Sequence, residues 1–397
     1  MTQLSNRITQ LAPSATLQMA VLARELKNKG VDVITLSLGE PDFDTPQHIK
    51  EAAKQAIDDG YTKYTPVQGY PDLIQAISTK FKRDNNLDYA ANQIVTSTGA
   101  KQSIANVVLC LVNPGEEVLL PIPYWVSYAA QVELAGGTIV EIPTKLENQF
   151  KMTAAELDSA ITYQTKLLIF SSPCNPTGAV YSREELREIA EVIASYDDLY
   201  VIADEIYEHI SYGEKHESLA QFDFIKDRVI TVNGLSKGFA MTGWRLGYIG
   251  APATIAKACV KMQGQFTSAT CSIAQRAAIA ALTGTLEPTR KMRDAFLERR
   301  NLILELLNDI DGIKTYVPDG AFYVFPDISS YFGKSDGTTT INNANDFCMA
   351  LLNNAHVATV SGSAFGQEGC FRISYAASTD TIKEAMRRVK AYLGTLA

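Results

Sequence analysis

Seven short apolar runs, separated by stretches of helical periodicity, constrain this chain more than any other feature. They fall at 33–38, 117–120, 138–142, 166–171, 199–203, 229–232 and 247–250. Runs of this length, rich in Val, Ile and Leu, read as buried strands. Helical segments lie between many of them, near Ala100–Leu111, 182–195 and 252–266. Strands that alternate with helices predict an α/β fold with a mainly parallel sheet and crossover helices. In such a sheet the loops at the strand C-terminal ends carry the site.

The two ends of the chain read differently. Residues 16–29 predict a helix whose apolar stripe is Leu17, Ala20, Val21, Leu22 and Leu26, stopped by Gly30. Beyond the sheet pattern, a long helix is expected over 286–310. Short strands follow at 321–325, 356–359 and 371–374, and a last helix at 379–393. This describes a smaller α+β unit joined in space by the N-terminal segment. The expected division is residues 1–47 and 291–397 for the small unit and 48–290 for the large one. A chain of 397 residues is long enough for two or three domains at roughly 150 residues each.

Composition excludes several partners. The formal net charge is −8, whereas a nucleic-acid partner asks for a basic face. The first seven residues are polar and lack a signal peptide's apolar core, and no apolar run approaches the ~20 residues of a membrane span. Six scattered cysteines without a CxxC pair, and four dispersed histidines, argue against a disulfide framework or a zinc site. A reducing cytoplasm is the expected setting.

The chemistry concentrates in the run Asn233-Gly-Leu-Ser-Lys237-Gly-Phe-Ala-Met-Thr-Gly-Trp-Arg245-Leu-Gly-Tyr248. Lys237 lies in a small-residue loop beside large apolar groups, which is no setting for a solvated charge. A lysine so placed can form a Schiff base with an aldehyde cofactor such as pyridoxal phosphate. Arg245 offers a planar, permanently charged fork for that cofactor's phosphate. Asp204 ends the apolar run Val201-Ile-Ala-Asp204, where an unpaired carboxylate is costly. Gly99 and Ala100, in Ser97-Thr-Gly99-Ala-Lys101, open a helix whose N–H groups suit an anion. Asn175 lies in the turn Asn175-Pro-Thr-Gly178, and Arg372 interrupts the apolar strand-like run Phe371–Ser374.

Taken in order, these motifs resemble the class I aminotransferases, and among them the bacterial aspartate aminotransferases, from Arg7 to about Leu393. The resemblance implies a fold-type I pyridoxal phosphate enzyme: a large domain with a mainly parallel, mixed seven-stranded sheet, plus a smaller α+β domain. It implies a Schiff base on Lys237, with Asp204 at the pyridine nitrogen. Tyr207 and Asn175 go to the phenolic oxygen, and Trp125 stacks on the ring. Gly99, Ala100, Ser236 and Arg245 hold the phosphate. Family members often carry a serine three residues before the lysine, where this chain has Gly234. Arg372 and Gly39 take the substrate's α-carboxylate. Lys101, with Ser14 or Thr16 nearby, takes the distal one. Tyr64 reaches the phosphate of a neighbouring subunit, which implies a homodimer with shared active sites. The reaction implied is ping-pong transfer of an amino group from L-aspartate to 2-oxoglutarate, giving oxaloacetate and L-glutamate. Aminotransferases for aromatic amino acids, kynurenine or prephenate share this machinery, as does a carbon–sulfur lyase on the same fold.

Overall fold

The computed structural model describes residues 4–213 and 215–397, so the first three residues of the polar N-terminus lie outside it. The strands, in chain order, are β1 (Ile34–Thr35), β2 (Ile94–Ser97), β3 (Glu117–Pro121), β4 (Thr138–Ile142), β5 (Thr165–Ser171), β6 (Tyr200–Asp204), β7 (Val229–Gly234), β8 (Gly247–Gly250), β9 (Tyr323–Val324), β10 (Val357–Ala358), β11 (Val360–Ser361) and β12 (Phe371–Ser374).

Seven of these make one sheet in the order β2-β8-β7-β6-β5-β3-β4. Only β8 runs against its neighbours; β7, β6, β5, β3 and β4 pair in parallel. The mainly parallel sheet expected from the strand–helix alternation is therefore present, and it is mixed and seven-stranded as the resemblance implies. Its strands read as continuous apolar runs because both faces are covered. Leu119, Leu168, Phe170, Val201 and Ala203 enter the core on one face. Val118, Leu120, Leu167, Ile169 and Ile202 enter the core on the other. Helices Ala100–Leu111 and Ala253–Phe266 pack on the second face. The helix Arg183–Ala194 starts from Ser182, whose hydroxyl accepts the N–H of Glu185 while the Glu185 carboxylate takes the Ser182 N–H, a capping box.

A further core joins the two ends of the chain. Met19, Ala23, Val33 and Leu36 pack with Phe296, Phe347, Phe371, Ile382 and Val389. Here β1 pairs in parallel with β10, and β11-β12-β9 form a three-stranded antiparallel sheet. The expected strand at 33–38 shortens to two residues. The N-terminal helix, Ala15–Asn28, also departs from its expected stripe. Its buried line is Met19 and Ala23, flanked by half-buried Leu22 and Leu26, whereas Leu17 and Val21 are exposed. Residues 19, 22, 23 and 26 form an equally regular helical line, and packing against Phe296 and its neighbours selects that one.

Candidate active site

Register brings the chemistry to one edge of the large sheet. Ser171 at the end of β5 lies beside Asp204 at the end of β6. Asp204 lies beside Val232 of β7, which leads through Gly234 to Lys237. Antiparallel β8 enters at the same edge, with Gly247 opposite both Gly234 and Ser97. A cavity of about 280 Å³ opens there. Of the residues expected from the sequence, Gly39, Ala100, Lys101, Trp125, Asn175, Asp204, Tyr207, Ser236, Lys237, Arg245 and Arg372 line it, and so do Ser14 and Thr16.

Lys237 projects from the loop after β7, and its Nζ donates to the Gly39 carbonyl at 2.6 Å. Burial, reinforced by the charge of Arg372, brings its ammonium down to about 8. Asp204 is buried; its Oδ2 accepts from the Tyr128 hydroxyl at 2.7 Å and its Oδ1 from the Ile206 N–H at 3.2 Å. Burial pushes the Asp204 carboxyl up to about 6, against the pull of the Tyr128 and Ile206 hydrogen bonds. The two groups are thus an amine and a carboxylic acid moved toward neutrality, each able to change charge near neutral pH.

The anion end is built from backbone. Gly99 adopts φ 83°, a left-handed conformation that suits glycine, and caps the helix Ala100–Leu111. The N–H groups of Ala100 and Lys101 therefore begin a twelve-residue helix without intrahelical acceptors. Gly247 is required beneath them, since a Cβ there would lie 2.2 Å from the Ala100 nitrogen. Arg245, itself at φ 55°, reaches the same turn: its Nη1 donates to the Thr242 carbonyl at 2.8 Å, and its Nη2 lies against Gly99. Gly234 has a packing reason as well. A Cβ at that position would meet the Gly247 Cα and the Leu246 carbonyl at 3.0 Å, so this chain has little room for the family's serine.

The opposite end carries Arg372, fully buried on β12. Its Nη1 donates to Asn175 Oδ1 at 2.7 Å and its Nη2 to the Ser37 carbonyl at 2.5 Å. The guanidinium lies 4.6 Å over the Tyr323 ring, and its buried Nε–H has no acceptor among the described residues. An unsatisfied buried guanidinium donor is expensive, and an anion bound in the cavity would relieve it. Lys101 forms a separate cation: its Nζ lies 5.0 Å over the Trp125 ring, and burial, then the charge of Arg245, lowers its pKa.

Several residues enter the site without a prior signal. Tyr323 places its hydroxyl 2.6 Å from that of Tyr207 and crowds Gly39, where a Cβ would lie 2.1 Å from it. Tyr128, Ser127, Ser171, Thr242 and Leu17 also line the cavity. Tyr128 stands three residues after Trp125, a helical spacing that could have drawn attention to it; Tyr323 is positioned by long-range packing and has no such mark. Tyr64 is not brought to the cavity of its own chain. It is almost fully exposed and lines a shallow surface pocket with Ser268, Thr270 and Cys271.

Behind the Asp204–Tyr207 segment lies a buried ionic cluster. Lys80 pairs with Glu208 and donates to Asn85 Oδ1 at 2.6 Å. His216 lies 3.0 Å from Glu205, and His209 lies 3.2 Å from Glu208. Glu205, Glu208 and His216 are close enough to share a metal ion, but the Lys80 ammonium already supplies the positive charge there.

A family model described as aminotransferase class I and II matches residues 31–389. The chain is 48% identical over 400 residues to a bifunctional aspartate aminotransferase and glutamate/aspartate-prephenate aminotransferase of Petunia hybrida, covering 99% of this chain and 83% of that protein. It is 46% identical to a probable aspartate/prephenate aminotransferase of Rhizobium leguminosarum bv. phaseoli, over 98% of each. Among solved structures, the aspartate aminotransferase of Rhizobium meliloti superposes with a TM-score of 0.97 at 42% identity, over the whole of both chains. The Thermus thermophilus aspartate aminotransferase with maleate superposes at 0.92 and 40% identity, over 99% of this chain and 100% of that one.

Proposed function

The chain belongs to the class I and II aminotransferases, and from that premise we propose that it is an aspartate aminotransferase, moving the amino group of L-aspartate reversibly to 2-oxoglutarate. The observation that carries this reading is the pairing of two separate cations, Arg372 and Lys101, in one cavity with a buried lysine and a buried carboxylate. A dicarboxylic substrate has one carboxylate for each cation.

The family's cofactor, pyridoxal 5′-phosphate, fits what the cavity offers. The helix start at Ala100, with Gly99, Ser236 and Arg245, suits a phosphate dianion. Asp204, driven toward its neutral form by burial, would be held ionised by a protonated ring nitrogen beside it, and Trp125 would offer a ring face for stacking. When bound, the cofactor supplies an aldehyde that carries the amino group and a ring that accepts electrons.

The protein's own residues do the rest. We assign Arg372 to the substrate α-carboxylate, through its Nε–H, which has no acceptor among the described residues, with Gly39 on the wall of the same cavity. Lys101 takes the distal carboxylate from beside Trp125, with Ser14 and Thr16 on the adjoining wall. The Lys237 amine, held near neutrality by burial, takes the proton from the substrate Cα. Asn175 accepts from Arg372 through Oδ1, which leaves its Nδ2 as the donor, and together with the Tyr207 hydroxyl it is assigned to the cofactor's phenolic oxygen.

We also infer a two-domain organisation with boundaries near residues 47 and 290, supported by the separate core that joins the chain ends. The exposed Tyr64, beside the 267–272 segment, supports a homodimer in which each Tyr64 completes the partner's phosphate site. Six free cysteines support a reducing cytoplasm. No described helix is long and apolar enough to cross a membrane. Relatives named as aspartate/prephenate aminotransferases favour prephenate as a second amino acceptor. Lys237→Ala tests the assignment: loss of turnover and of the lysine-bound cofactor's visible absorbance is expected, and wild-type turnover overturns it.

A further inference from the structure

Tyr128 lines the cavity, and its hydroxyl donates to Asp204 Oδ2 at 2.7 Å; both side chains are buried. The residue sits in the first turn of the helix Ser127–Ala135, three positions after Trp125, and the two rings meet edge to face at 5.5 Å. One short segment therefore places the ring platform and fixes the rotamer of the acid beneath it. Among the described residues, the other donor to the Asp204 carboxylate is the Ile206 N–H.

We infer that Tyr128 is a positioning residue, which keeps Asp204 ionised and aimed at the cofactor's ring nitrogen by donating a hydrogen bond to its outer oxygen. The inference rests on the reading of Asp204 given above. The physical need is clear. A carboxylate this deeply buried is driven toward its neutral form, and a hydrogen bond donated to the charged form opposes that drive. The titratable groups facing Asp204 are few: Lys237 from the loop after β7, Tyr128 from the helix Ser127–Ala135, Cys174 after β5, and Glu205 and Tyr207 on its own segment. Of these, Tyr128 alone is recorded in a hydrogen bond to the carboxylate. Burial and the Asp204 charge hold the Tyr128 hydroxyl well above its ordinary range, so it remains a donor at every working pH.

The test is Tyr128→Phe, which keeps the ring and removes the donor, read by the pH dependence of pyridoxal phosphate affinity and of kcat/KM for L-aspartate. Without the donor, Asp204 protonates at higher pH. The acid limb of kcat/KM then moves up by about one pH unit. The dissociation constant of the cofactor rises about fivefold at pH 6 and returns toward the wild-type value at pH 9, where Asp204 is ionised in both proteins. A role limited to packing would weaken binding equally across the range and leave the limb in place, and that result overturns the inference. Asp204→Asn separates the two levels. An active Asp204→Asn enzyme overturns the reading of Asp204 itself, whereas an inactive one beside an unmoved limb in Tyr128→Phe overturns only the role of Tyr128.

Discussion

Gly39→Ala is a small change with a calculable outcome. Gly39 has no unusual backbone requirement, so the penalty is steric. Its added methyl would lie 2.1 Å from the Tyr323 hydroxyl oxygen, 3.2 Å from Cζ and 3.6 Å from Cε1. Tyr323 cannot swing aside. It is fully buried, its hydroxyl is 2.6 Å from that of Tyr207, and Arg372 covers its ring at 4.6 Å. Overpacking of this kind destabilises by about 1–3 kcal/mol. Removing the hydroxyl makes Cζ the nearest atom, at 3.2 Å, a contact that a shift of a few tenths of an ångström relieves. Tyr323→Phe alone should cost about 0.5–1.5 kcal/mol through its lost hydrogen bond. The double variant should then be more stable than the sum of the singles by at least about 1 kcal/mol. Chemical denaturation of the four proteins measures this, and kcat/KM should follow the same pattern because the Gly39 carbonyl holds Lys237 Nζ. Strictly additive values would refute the steric argument.

Three further outcomes follow from the same geometry. Lys80→Met removes the lysine that neutralises buried Glu208 and should destabilise by about 3–5 kcal/mol by denaturant titration, with Glu208→Gln in the same chain recovering part of the loss. Lys237 in the cofactor-free protein should react with an acylating reagent along a curve centred at about 8, because burial disfavours its charged form and the amine is freed as pH rises through that value; a midpoint near the ordinary ~10.4 would contradict it. Lys101→Ala should raise the KM for L-aspartate at least tenfold more than that for L-phenylalanine, since only the former loses a charge-assisted contact. Equal changes would remove Lys101 from the distal-carboxylate role.

Local pattern and long-range packing differ in how well they can be read from this sequence. Strands such as Tyr200–Asp204 and Val229–Gly234 are buried on both faces, so their apolar runs are unbroken and easily seen. Helix Ala100–Leu111 begins and ends where its turn glycine and apolar spacing place it. The short strands Ile34–Thr35 and Tyr323–Val324 are set by distant partners, Val357–Ala358 and Ile373–Ser374, so their flanking apolar residues overstated their length. The Ala15–Asn28 helix offers two overlapping apolar lines, and only the neighbouring core decides that Met19 and Ala23 face inward. At the site, Lys237, Asp204, Asn175 and Arg372 stand out because polar groups interrupt apolar or turn contexts. Tyr323 and Tyr128 look like ordinary core aromatics until their hydroxyl partners are seen.

The most direct measurement of the central claim is a single-turnover reaction of the pyridoxal phosphate-loaded protein with L-aspartate, set beside L-phenylalanine, L-kynurenine and L-cystathionine. The two-cation cavity predicts rapid conversion of the cofactor to its amine form with L-aspartate and release of one equivalent of oxaloacetate. An unchanged spectrum with L-aspartate, while an aromatic amino acid converts the cofactor, would contradict the pairing of Arg372 with Lys101. Pyruvate and ammonia from L-cystathionine, with the aldehyde form retained, would contradict amino transfer itself.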